Sequence, residues 1–199
     1  MLHLIDDALE SFLRQELDAG SRFDVSFALP DREWAAGLSR PTLNLYLAKV
    51  DPGPPEATAG VEFFEQDGVP HRRLALPRVA FTYYATAWVS EVRDEHRLLG
   101  SVLSAVARTR TLGAEHLPDA MRDNGPAPTV RLDNTVPQPG DLWPAIGGRC
   151  HPALALLVTA AVDPGQSEAT APFPASVELG VADQNQPARR SRRISPARR

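Results

Sequence analysis

Residues 79–89, VAFTYYATAWV, run for eleven positions without a glycine, a proline or a charge, and no other stretch constrains the fold as much. The odd positions hold Val79, Phe81, Tyr83, Ala85, Ala87 and Val89, while the even ones include Thr82, Tyr84, Thr86 and Trp88. Side chains that alternate between two faces, rich in β-branched and aromatic types, predict a long strand. Such a strand needs neighbours along both edges and a layer over its apolar face. The chain then passes at once into SEVRDEHRLLGSVLSAV, residues 90–106, where Leu98, Leu99, Val102, Leu103 and Val106 form a stripe at helical spacing.

Other segments supply the rest of such a sheet. Ile5, Leu9, Phe12, Leu13 and Leu17 predict an amphipathic first helix, ended by Gly20. Phe23, Val25, Phe27 and Leu29 alternate and predict a strand stopped by Pro30, and Leu43, Leu45 and Leu47 predict another after Pro41. Between them, DREWAAGL predicts a short helix started by Asp31, with Trp34 as its largest apolar group. Residues 51–60, with three prolines and two glycines, read as an exposed connection. Prolines 118, 126, 128, 137, 139 and 144 leave only short extended pieces and one helical turn at PGDLWPAIGG. Leu154, Leu156, Val158, Ala160 and Val162 alternate with small or apolar residues, which predicts an interior strand. Strands and helices lack the regular βαβ rhythm, so the expected class is α+β: a mainly antiparallel sheet with helices packed on one face.

A chain of 199 residues, 43% apolar, is long enough for one domain with a core. We expect a domain over residues 1–163 and a Pro/Ala-rich extension over 164–199, with a short strand at SVELGVA and an arginine-rich end that is flexible on its own. No run is long and apolar enough to span a membrane, and the start, MLHLIDDALE, lacks a signal-peptide pattern, so the expected location is the cytoplasm. The single cysteine, Cys150, cannot form an internal disulfide. Residues 187–199 carry six bases and no acid, whereas residues 1–186 carry 15 bases against 25 acids. So acidic a body is a poor surface for nucleic acid, while the tail is suited to polyanions.

Chemistry has few footholds. Histidines 3, 71, 96, 116 and 151 show no pair at metal-binding helical spacing, and Cys150 and His151 point apart on an extended chain. No phosphate-binding glycine loop or nucleophile elbow is present, and no cofactor is expected. Asp94, Glu95 and His96 therefore have two readings, a catalytic or metal constellation or a helix start, and the second is favoured. Ser90 or Asp94 would accept bonds from first-turn amides, and early carboxylates suit the positive helix end. Trp88, Trp143 and Tyr84 read as core or interface aromatics.

The order of pieces DDALESFL, FDVSFALPDREWAAG, PTLNLYLAKV, FTYYATAWVS with DEHRLLGSVL, and GDLWPAIGGRCHPALALLVTAAV resembles the N-terminal domain of the cap, or tail-terminator, proteins of extracellular contractile injection systems. These are phage-tail-like particles with a tube inside a contractile sheath. The resemblance covers residues 1–163. It implies a non-enzymatic subunit of a hexameric ring that ends the tube and sheath away from the baseplate and stops their polymerisation. The implied partners are further copies of the chain, the inner-tube protein and the sheath protein, with no specific nucleic acid. The particle would be assembled in the cytoplasm, with release by lysis, retention there and attachment to a membrane all left open. Candidate contact residues are Trp34, Trp143, His96 and Arg97, with Arg189, Arg190, Arg192 and Arg193 in the tail, which could reach a sheath subunit or an acidic membrane surface. The alternatives are another assembly or baseplate-associated protein of the particle, or a small hydrolase using His96 or the Cys150–His151 pair.

Overall fold

The computed structural model describes residues 1–17, 23–53, 60–66, 68–122, 125–134, 143–144, 150–163, 165, 168–169, 177–179 and 192–194. The chain divides into two compact units, Met1–Ala59 with Leu76–Pro164, and Gly60–Ala75 with Gly165–Arg199.

In the first unit, helix α1 (Leu2–Glu16) buries Ile5, Ala8, Leu9, Phe12 and Leu13. The large ones, Ile5, Leu9, Phe12 and Leu13, each contribute about 2 kcal/mol from removal of apolar surface from water. The helix ends when Leu17 turns extended while its N–H still reaches Leu13 O at 2.9 Å. Gly20, expected as the stop, lies outside the described residues. A second expected helix, α2 (Arg32–Ala36), starts as anticipated, with the Trp34 amide donating to Asp31 Oδ1 at 2.8 Å.

Five strands form the sheet, in the order β1-β2-β5-β7-β6. They are β1 (Asp24–Ser26), β2 (Thr42–Asp51), β5 (Arg78–Trp88), β6 (Thr129–Leu132) and β7 (Leu154–Ala161). Only β1 and β2 run parallel. The long alternating segment is the central strand, pairing Leu43 with Ala87, Leu45 with Ala85 and Leu47 with Tyr83 on one side, and Phe81 with Val158 and Tyr83 with Leu156 on the other. Residues 81–87 are all buried. Helix α3 (Val92–Arg108) lays Val102, Ala105 and Val106 in the same core as α1, Phe81, Tyr83, Ala85, Leu156 and Val158, and also buries Leu99 nearer its start. The class is the expected one, α+β with a mainly antiparallel sheet.

The first predicted strand is shorter than its alternation. Asn44, fully buried in β2, donates from Nδ2 to Ser26 O at 3.3 Å and Ala28 O at 2.9 Å. A side chain there takes the place of a backbone ladder, so pairing stops at Ser26 while Phe27 still packs against Tyr83, ring centroids 6.4 Å apart. Tyr83 in turn donates its hydroxyl to Asp6 Oδ1 at 2.7 Å, tying α1 to the central strand. Burial pushes the Asp6 carboxyl above its ordinary range, an effect the Tyr83 bond opposes.

The second unit contains a hairpin of β3 (Val61–Gln66) and β4 (Val69–Leu74), with β8 (Glu168–Ala169) beside β4. Gly68 takes the left-handed conformation the turn requires. One face pairs Phe64 with His71, stacked at 5.6 Å, under the Arg73 guanidinium, which also reaches Glu62 at 3.2 Å. The other face exposes Val61, Phe63 and Leu74. Within the extension expected to be flexible, β9 (Val177–Leu179) and β10 (Arg192–Ile194) pair antiparallel.

Candidate functional site

The triplet at the start of α3 is divided by the helix itself, because successive residues turn by about 100°. Asp94 and His96 face outward, and Asp94 forms an ion pair with Arg97 one turn on. Glu95 turns inward, on the stripe continued by Leu99, Val102 and Val106. The helix does begin here, but not by the expected side-chain cap. Glu91 is the N-cap and makes no side-chain bond, while the amides of Asp94 and Glu95 reach its carbonyl at 3.0 Å each. Asp94 lies too far inside the helix to cap, and its carboxylate is engaged by Arg97 instead.

The inward carboxylate meets a histidine that spacing did not suggest. Glu95 Oε1 lies 3.1 Å from His151 Nδ1, with 11% and 24% of the two side chains exposed. The imidazole rests on Trp88, ring centroids 4.1 Å apart, and the His151 carbonyl accepts a bond from Trp143 Nε1 at 3.0 Å. Trp88 is also contacted edge-on by Trp34 at 5.3 Å and by Trp143 at 6.3 Å. Three tryptophans and a carboxylate–imidazole pair thus clamp the end of β5, the start of α3, helix α2 and the residues leading into β7. Beside them is an open cleft of about 390 Å³ with Leu38, Arg40, Pro41, Trp88, Ser90 and His151 in its walls. A carboxylate orienting an imidazole also occurs in catalytic triads, but among the described residues no hydroxyl or thiol is hydrogen-bonded to His151.

The candidate contact residues fall in different settings. Trp34 is half-buried on α2, and Trp143 has only 2% of its surface exposed and is an interior side chain. His96 and Arg97 lie together on the solvent face of α3. Arg192 and Arg193 lie in β10 of the second unit, and Arg189 and Arg190 are outside the described residues. Among the described residues, no group of three or more His, Cys, Asp or Glu side chains converges as a metal site. No described helix is long and apolar enough to cross a membrane.

Exposed apolar side chains mark two further surfaces, neither of which contains a sequence motif. On α3, Val92 is 65% and Leu103 42% exposed, on the same face as His96. On the hairpin, Val61, Phe63 and Leu74 stand out together. Such groups are ordinary singly, and informative when they share a face.

The family described as the Pvc16 N-terminal domain matches residues 4–176. Among solved structures, the chain is similar to the sheath/tube terminator of the PVC extracellular contractile injection system in its extended state, with a TM-score of 0.64 and 18% identity over 92% of this chain and 64% of that one. It is also similar to the tube-terminating cap of the anti-feeding prophage, with a TM-score of 0.57 and 17% identity over 90% of this chain and 60% of that one. The chain therefore spans a little under two thirds of the length of the structures it resembles. No curated protein matches it in sequence.

Proposed function

This chain belongs to the Pvc16 N-terminal domain family, and from that premise we propose that it is a structural cap, or tail terminator, of a contractile injection system. It ends the inner tube and the sheath at the end away from the baseplate and stops their polymerisation. The observation that carries this reading is the family match over residues 4–176, joined to an α+β fold shared along nine tenths of the chain with two terminators of such particles.

Further copies of the chain, the tube protein and the sheath protein are its partners in this reading. Six copies close into a ring, in which each subunit must offer sides to its neighbours and a face to the tube. The exposed stripe of Val92, His96 and Leu103 on α3 and the apolar hairpin face suit such contacts. Residues 1–163 would supply the ring, and residues 164–199 would form an extension whose arginines reach a sheath subunit or an acidic membrane surface. The acidic balance of residues 1–186, 15 bases against 25 acids, would steer the ring onto a basic tube or sheath end. The role is non-enzymatic, and the particle is assembled in the cytoplasm.

The test is the mass of the purified chain, alone and with tube and sheath subunits, together with images of particles assembled without it. Six-fold species and overlong or unstable tubes in its absence are expected. A strict monomer with particles of normal length would overturn the reading.

A further inference from the structure

Strand β6 is the last strand of the sheet, and only its first half is covered. Its register with β7 sets Thr129 opposite Thr159 and Leu132 opposite Leu156, and the Asp133 N–H donates to Ala155 O at 2.8 Å. The backbone groups of odd-numbered residues therefore face β7, and those of Val130 and Leu132 face the outer edge. There the Leu112 N–H donates to Pro128 O at 2.8 Å, and the Val130 N–H to Arg110 O at 3.0 Å. The segment after α3 thus closes the edge as far as Val130. Beyond it, among the described residues, no backbone group pairs with Val130 O or with the N–H and C=O of Leu132; only Arg131 Nη1 approaches Leu132 O, at 3.4 Å. A groove of about 450 Å³ runs along this open stretch, with Val106, Ala107, Val130 and Leu132 as apolar walls and the exposed Arg110 and Arg131 beside it.

We infer that this edge docks one extended, acidic segment of another polypeptide, which adds a strand beside β6. An open edge satisfies its backbone groups by pairing with a further strand, and the groove takes alternate side chains of that strand. The charge specifies the rest. Arg110 and Arg131 are exposed, whereas Asp133, 4.0 Å from Arg131, has only 4% of its side chain exposed, and the nearby Arg108 is already held by Glu16 at 3.0 Å. A second copy meeting this one at β6 would bring both pairs of arginines together, which opposes it. The open stretch is short, so the strand would be one contact within a larger association. The inference goes beyond capping and does not depend on it.

The probe is a capped ten-residue peptide of alternating valine and glutamate, fluorescently labelled and titrated at pH 7 with the full chain, beside its valine–lysine counterpart. The glutamate peptide is expected to bind at least about tenfold more tightly. Leu132→Pro removes an outward N–H without touching the β7 ladder and should weaken binding about tenfold. Arg110→Glu changes only an exposed side chain, so it gives a reading even if the proline variant does not fold; it should narrow or invert the preference between peptides. Equal binding of the two peptides, indifference to Arg110→Glu, or no binding of the glutamate peptide at millimolar concentration would each overturn the inference. So would self-association of the unliganded chain that Leu132→Pro abolishes, since the occupant would then be a second copy.

Discussion

Glu95, in the first turn of α3, and His151, just before β7, meet at 3.1 Å although 56 positions separate them. Removing the imidazole leaves a largely buried carboxylate without its partner and lifts a ring off Trp88. We expect His151→Ala to lose about 2–3 kcal/mol in urea unfolding, and Glu95→Gln about 1 kcal/mol, since an amide oxygen still accepts. A His151→Ala variant within about 0.5 kcal/mol of the parent would show that the clamp contributes little.

Asp6 and Tyr83 should impose a pH dependence of a particular sign. The folded state raises the Asp6 pKa, mainly by burial, so above its ordinary value of 3.8 the folded chain holds this proton more tightly than the unfolded one. The contribution to stability is fully present below that value and is lost as pH rises through the raised pKa. Asp6→Asn should remove this decline while keeping an acceptor for the tyrosine hydroxyl. The Tyr83 pKa is raised as well, by burial first and then by Asp6, so stability should fall as pH rises above 10.0, and Tyr83→Phe should flatten that limb. Stability curves of the variants that run parallel to the parent's across both windows would contradict the assignment.

Much of this architecture is visible in the residues themselves. The segments that became α1, β5, α3 and β7 each keep one period over many residues, and burial against a shared core enforces that period. The β3–β4 hairpin is harder to read, because adjacent Phe63 and Phe64 put aromatic rings on both faces and Pro70 sits inside a strand. The length of β1 depends on Asn44, some twenty positions away in sequence. Glu95 did carry a signal, since it falls on the buried stripe of α3 where a carboxylate needs a partner. That the partner is His151, and that Trp143 turns inward to it, follows only from how β5, α3 and β7 come together.

Asn44 should hold β1 in place. Asn44→Ala deletes both bonds to the carbonyls of Ser26 and Ala28 in a fully buried position. A loss of about 2 kcal/mol is expected, with the amides of residues 24–28 losing hydrogen-exchange protection before those of β5. Unchanged protection in that segment would show that β1 is held by its ladder with β2 alone.

Gly125 is required by both conformation and space. Its φ is +88°, and a Cβ there would lie 2.9 Å from Leu76 Cδ1 and 3.3 Å from Ala161 Cβ, both in buried residues. Gly125→Ala should therefore lose about 2 kcal/mol or more, from the unfavourable φ and the displaced leucine together. Thermal unfolding is the measurement, and a melting temperature equal to the parent's would mean that the loop re-forms without strain.

The solvent face of α3 separates assembly from folding. Val92 and Leu103 are 65% and 42% exposed, on the face that also carries His96, and neither belongs to the core cluster. Surface positions of this kind change stability by no more than about 0.5 kcal/mol, so Val92→Glu with Leu103→Glu should leave unfolding nearly unchanged. In a ring, the same charges would face an apolar neighbour and could not be solvated, which opposes association by far more than it perturbs the monomer. The doubly substituted chain should therefore fold, fail to form the six-fold species and leave tubes overlong. If it assembles and caps as the parent does, this face is turned to solvent in the particle, and the apolar face of the β3–β4 hairpin becomes the surface to substitute next.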